Sequence, residues 1–185
     1  MRIGKTSAVL AALAVAAFAS SSNAEVFSKT ASPTVTGGTV VFSTGLPATL
    51  SQSTTIQCKV SATLNVVAGP TGSADATLNP ANISSPPNAF CGVVVYAYGS
   101  WSAHTALPAL SLPYVAGTVL LKIGANTILG DPCYDVVRVP VSSSTSSAGF
   151  DTITLNNVKL KTVSGSANQC TVNAVLKAPS HVHIF

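Results

Sequence analysis

The sequence predicts an all-β domain: a single antiparallel β-sandwich, with an irregular β-barrel as the alternative, stapled by two disulfides. Three observations carry that expectation. Apolar and polar residues alternate with period 2 in many short stretches, which marks strands with one buried face. No stretch beyond the N-terminal segment has helical periodicity, and candidate strands recur about every 8 to 15 residues, as in sandwiches. Four cysteines, Cys58, Cys91, Cys133 and Cys170, form an even set behind a secretory leader, which reads as two disulfides made in an oxidising compartment.

The leader comes first. Arg2 and Lys5 precede an apolar or small run, Ala8–Ala19, and Ser22-Asn23-Ala24 supply small residues before a cleavage site at Glu25. The run is shorter than the roughly 20 residues that a membrane span needs. Residues 1–24 are therefore expected to be removed, leaving residues 25–185 as one β-rich domain, secreted or periplasmic. Only 8% of the chain is charged, against about 25% in ordinary domains. The weak positive balance and the lack of a basic cluster exclude nucleic acid as a partner.

The strands follow in order. Gly38–Ser43 is short and β-branched. In Cys58–Val66, Cys58, Val60, Ala62, Leu64 and Val66 alternate with polar residues. Cys91–Gly99 is apolar on both faces and reads as a central strand. Gly117–Gly124 and Tyr134–Val141 follow; Pro140 suits a strand end or edge. Inward parity switches between Ile153/Leu155 and Val158/Leu160, as across a two-residue hairpin turn at Asn156-Asn157. Cys170–Leu176 alternates like Cys58–Leu64, and "QCKVSATL" shares five of eight residues with "QCTVNAVL". "APSHVHIF" reads as an edge strand. Loops are expected at Ala68–Ser73, Asn79–Asn88, Leu107–Pro113 and Ser142–Gly149.

Of the three pairings that four cysteines allow, Cys58–Cys91 with Cys133–Cys170 closes the shortest loops and costs the least chain entropy.

Chemistry is sparse. No Gly-x-Ser-x-Gly, no phosphate-binding glycine loop and no His-Glu-x-x-His occurs. Asp75, Asp131, Asp135 and Asp151 stand apart in sequence, and serines are so common that a Ser–His pairing carries no information. No enzyme and no cofactor are expected. His181 and His183 share a strand face and are a candidate start of a metal site without an identifiable third ligand. The terminal Phe185 raises an outer-membrane barrel as a further alternative.

The segment Cys91–Leu121 lies within a stretch, residues 76–121, that has no formal charge. Val93, Val95, Tyr96, Tyr98, Trp101, Leu107, Leu110, Leu112 and Tyr114 are its candidate association surface, with buried core as the competing reading.

Several of these features together resemble the PraB-type secreted bacterial proteins. They are the alanine-rich leader, "QCKVSATL", a second cysteine that ends the stretch "ANISS…NAFC", Trp101, "GDPC", "ITLNNVKL", and "NQCTVNAVL" followed by "APS". The resemblance implies a secreted, non-enzymatic protein associated with biofilm matrix, surface activity and activation of alkane oxidation, and it brings no catalytic residues. The expected function is an extracellular structural or surface-active protein that associates with itself or with matrix components. The alternative is a module that binds a hydrophobic small molecule.

Overall fold

The computed structural model describes residues 26–31, 36–67, 75–128, 131–145, 149–166 and 169–185. The leader and the loop expected at Ala68–Ser73 lie outside the described residues. The strands are β1 (Phe27–Ser28), β2 (Gly38–Thr44), β3 (Ala48–Ser51), β4 (Thr55–Val66), β5 (Asp75–Ser84), β6 (Ser102–His104), β7 (Thr118–Ala125), β8 (Cys133–Ser142), β9 (Phe150–Leu160) and β10 (Cys170–Ile184). One 3-10 turn, Pro108–Leu110, interrupts them.

The strands are antiparallel and close on themselves. Around the ring the order is β10-β2-β4-β5-β6-β7-β8-β9, and β9 returns to β10. Of the two architectures that the sequence allows, the barrel is the one formed. Its cause is the length of β10: its 15 residues pair with β9 on one side and with β2 and β3 on the other. A sheet whose two ends meet has no exposed edge to protect. β2 and β3 share one lane of the ring. Thr44 takes the Val60 amide on its hydroxyl at 3.0 Å, and Ala48 pairs with Cys58. Gly45-Leu46-Pro47 is therefore looped out opposite Lys59. β1 lies on the last residues of β10, Phe27 opposite Ile184 and Ser28 opposite His183.

The alternating strands bury the faces that their patterns predict. Cys58, Ala62, Leu64 and Val66 are buried on β4, and Cys170 and Leu176 on β10. The main core fills the barrel around the fully buried Phe27, Phe42, Val119, Val139 and Val182. A smaller cluster, Ile56, Cys58, Cys91 and Val95, closes one end. An apolar packed interior is the reverse of the polar interior of outer-membrane barrels. The disulfides are Cys58–Cys91 and Cys133–Cys170, with separations of 33 and 37 residues. On the loop-entropy account each stabilises by about 3–4 kcal/mol.

Four readings of the sequence are corrected. Cys91–Gly99 is not a strand. Residues 91–95 are wound into a turn in which the Phe90 carbonyl accepts the amides of Val93, Val94 and Val95. The disulfide pins Cys91 to β4, and Gly92 (φ 82°) passes so close to the Ile83 carbonyl that a Cβ would stand 2.8 Å from it. These constraints override the β-propensity of three valines. Asn79–Ser84 is strand, not loop, because Pro80 sits where the register with β4 shifts, the place where a sheet accepts proline. Asn156-Asn157 is a bulge within the continuous strand β9, since two residues there oppose Asn173 alone. A bulge switches inward parity as a hairpin does. "APSHVHIF" is mostly the end of β10 rather than a separate strand.

Candidate functional site

Cys91–Leu121 does not form one surface. Tyr96–Tyr98 bonds to the far end of β7: the Tyr98 amide donates to the Gly124 carbonyl at 3.0 Å and the Asn126 amide to the Tyr96 carbonyl at 2.8 Å. The loop 107–115 meets the other end, where Thr118 donates its amide and hydroxyl to the Val115 carbonyl. β7 has 8 residues, so the two parts stand roughly 23 Å apart along the strand.

At the first end, Phe90, Val93 and Tyr96 project into solvent with 50%, 77% and 46% of their surface exposed. Val95, a candidate for the association surface, is instead buried beneath them against Ile56 and the Cys58–Cys91 bridge. Tyr98 is half-buried with its ring edge-on to Tyr134 at 6.1 Å. Trp101 packs on the main core and donates its indole N–H to the Gly124 carbonyl at 2.9 Å. At the second end, Leu107 and Leu112 close a small loop by two mutual backbone bonds, and Leu110 is exposed at its tip. Leu112 and Tyr114 are half-buried.

Inside the barrel is an apolar cavity of about 70 Å³. Phe42, Leu78, Trp101, Leu121, Ile153 and Leu176 are among the residues on its wall, and among the described residues Thr49 brings the one side-chain hydroxyl.

The strand end of β10 carries the histidine pair. His181 Nε2 lies 3.0 Å from Ser143 Oγ, 3.0 Å from Thr145 Oγ1 and 3.3 Å from Asp151 Oδ2. Asp151 is buried and accepts both the amide and the hydroxyl of Ser144 and the hydroxyl of Thr152. The Ser144 hydroxyl above all, with Thr152, the Ser144 amide and His181, holds its pKa below the ordinary carboxylate value although burial opposes this. His183 stacks on Phe185 at 6.1 Å, and its buried Nδ1 has no hydrogen-bond partner. Burial first, and His181 second, push its pKa below the ordinary imidazole value. The two rings share a face, as their spacing predicts, with centroids 6.4 Å apart. Among the described residues no three potential ligands converge on a metal position.

A second polar group was not legible in the sequence. Asp75 Oδ1 is 2.5 Å from His104 Nδ1, and His104 Nε2 is 2.7 Å from Ser102 Oγ. The signal available was Ser-x-His, which on any strand puts both side chains on one face. The aspartate is 27 residues upstream of Ser102 and only strand pairing brings it close.

No family model, curated protein or solved structure matches the chain. Fold and sites together define a closed, disulfide-stapled antiparallel β-barrel with an apolar interior and apolar residues exposed at both ends of β7.

Proposed function

We propose that this chain is an extracellular structural or surface-active protein that works by association, with copies of itself, with matrix components or with an oil–water interface. The PraB-type resemblance points the same way. The observation that carries the reading is the exposed group Phe90, Val93 and Tyr96 on a turn pinned by the Cys58–Cys91 disulfide. Exposed apolar side chains on a rigid support lose little conformational entropy when they are covered. The 46-residue stretch that contains them, 76–121, has no Asp, Glu, Lys or Arg. The disulfides and the leader suit a protein outside the cytoplasm.

The test is Val93→Lys with Tyr96→Lys. Both positions are exposed, so the fold should tolerate the change. The account expects the doubly charged protein to lose most of the parent's lowering of surface tension. Unchanged surface activity in a folded variant would remove this reading.

A second reading, binding of a small hydrophobic molecule, is favoured by the interior cavity. Its volume is under half of the roughly 150 Å³ that admits benzene in a dry protein cavity, so the occupant would be smaller than that ring. Trp101, the sole tryptophan, lies on the wall and would report occupancy by its fluorescence.

A further inference from the structure

Strands β5 and β6 pair antiparallel with Asp75 opposite His104 and Thr77 opposite Ser102. Ala103, between Ser102 and His104, belongs to the main core. Parity therefore turns Ser102 and His104 to the outer face of the barrel, where Lys122 and Leu120 of β7 are their cross-strand neighbours. His104 is only 9% exposed despite facing outward, and Leu120 beside it is 1% exposed. The ring is thus held rather than free to turn.

Two contacts give this group a direction. With its proton on Nδ1, His104 donates to Asp75 across 2.5 Å and leaves Nε2 to accept the Ser102 hydroxyl across 2.7 Å. That is the tautomer, and the order of groups, by which a histidine activates a serine. His181 lacks this order: its Nε2 alone faces Ser143, Thr145 and Asp151.

We propose that Ser102, His104 and Asp75 form an acyl-transfer relay on the outer barrel face, with Ser102 the nucleophile, His104 the base and Asp75 the positioning residue. The Ser102 Oγ adds to the carbonyl carbon of an ester while its proton passes to His104 Nε2. The tetrahedral species then expels the leaving group, a phenolate or thiolate, which takes that proton and departs as the phenol or thiol. Water attacks the acyl-serine, gives a proton to Nε2 and releases the carboxylic acid, and Ser102 recovers its proton. The Asp75 carboxylate, held against Nδ1, balances the transient imidazolium. No oxidant or metal is required.

The substrate class follows from the surroundings. Lys122 is cross-strand from Ser102 on the same face, with its ammonium 5.5 Å from the Tyr134 ring centroid. It is the cation nearest in the strand register to the developing oxyanion. One flexible ammonium stabilises that charge less than a preorganised pair of amides. The relay therefore suits activated acyl donors, aryl esters or thioesters with small acyl groups, rather than amides. This activity is independent of the association proposed above, and either can fail without the other.

The experiment uses the full secreted chain with both disulfides formed. It is treated with a fluorophosphonate, which loses fluoride to an activated serine, and the adduct is located by peptide mass mapping. Hydrolysis of p-nitrophenyl acetate is followed in parallel. The expected result is a single adduct on Ser102, absent in Ser102→Ala. His104→Gln, which keeps a hydrogen-bonding side chain toward Asp75, should slow hydrolysis by about 10²–10⁴-fold. Asp75→Asn should change the pH–rate profile as well as the rate, an effect that a merely structural aspartate would not produce. Near-UV circular dichroism of Trp101 establishes that each variant is folded. An unlabelled native protein overturns the proposal, as does labelling elsewhere that survives Ser102→Ala.

Discussion

His183 and Asp151 make opposite kinds of burial visible. Asp151 is buried as a charge, because Ser144 and Thr152 donate hydroxyls and an amide to it. His183 is buried as a neutral ring whose Nδ1 meets no donor or acceptor. Both groups have folded pKa values below their unfolded ones, so the unfolded chain binds more protons in acid and stability falls as pH falls. The windows differ. The His183 contribution is complete above about pH 6.5 and is lost as pH drops below that value; the Asp151 contribution is complete above about pH 4 and is lost below it. Denaturant titrations across pH should show both stages. His183→Phe, which keeps the stack on Phe185, should abolish the upper stage and leave the lower one. A His183→Phe protein with the parent's full pH dependence would contradict this assignment. The facing groups are readable in sequence as "HVH" on one strand face, but the partners Ser143, Ser144 and Asp151 are not. Ser143 and Ser144 come from the β8–β9 connection and Asp151 from the start of β9, and only the ring order carries them to the end of β10.

At the scale of elements, pattern predicted strands where alternation met no competing constraint, as in Cys58–Val66. It failed where a covalent or backbone constraint outweighed it. The turn at residues 91–95 is the clearest instance: "VVV" has strong β-propensity, yet the disulfide and the close approach at Gly92 leave it no neighbour to pair with. β3 and β6, of 4 and 3 residues, were too short for any period to register. The bulge in β9 has a checkable cause. Asn157 has φ 49°, and its amide donates to the Asn173 side-chain oxygen at 2.7 Å. Asparagine and glycine tolerate this left-handed conformation better than other residues. Asn157→Gly should be neutral within about 0.5 kcal/mol, while Asn157→Val should cost about 1–2 kcal/mol in urea unfolding. Equal stabilities for the two would mean that the bulge is not held by that conformation.

For the whole molecule, the disulfide pairing was legible because loop entropy ranks the three alternatives. Barrel closure was not, because period-2 alternation describes one strand's two faces and is the same in a sandwich and a barrel. What decides is the reach of β10, whose C-terminal part reads as a separate edge strand until its continuity is seen. Exposure of the apolar segment was equally hidden: "VVVYAY" holds both the most buried and the most exposed of its valines, Val95 and Val93. The central claim is that the exposed group Phe90, Val93 and Tyr96 at this end of the barrel associates through apolar contact. Sedimentation velocity of the mature, oxidised protein over a wide concentration range tests it most directly, run at low and high salt and at two temperatures. The account predicts concentration-dependent association that added salt does not weaken, that cooling weakens as hydrophobic contacts do, and that Val93→Lys with Tyr96→Lys suppresses. A monomer at every concentration, or an association that salt dissolves, would contradict it.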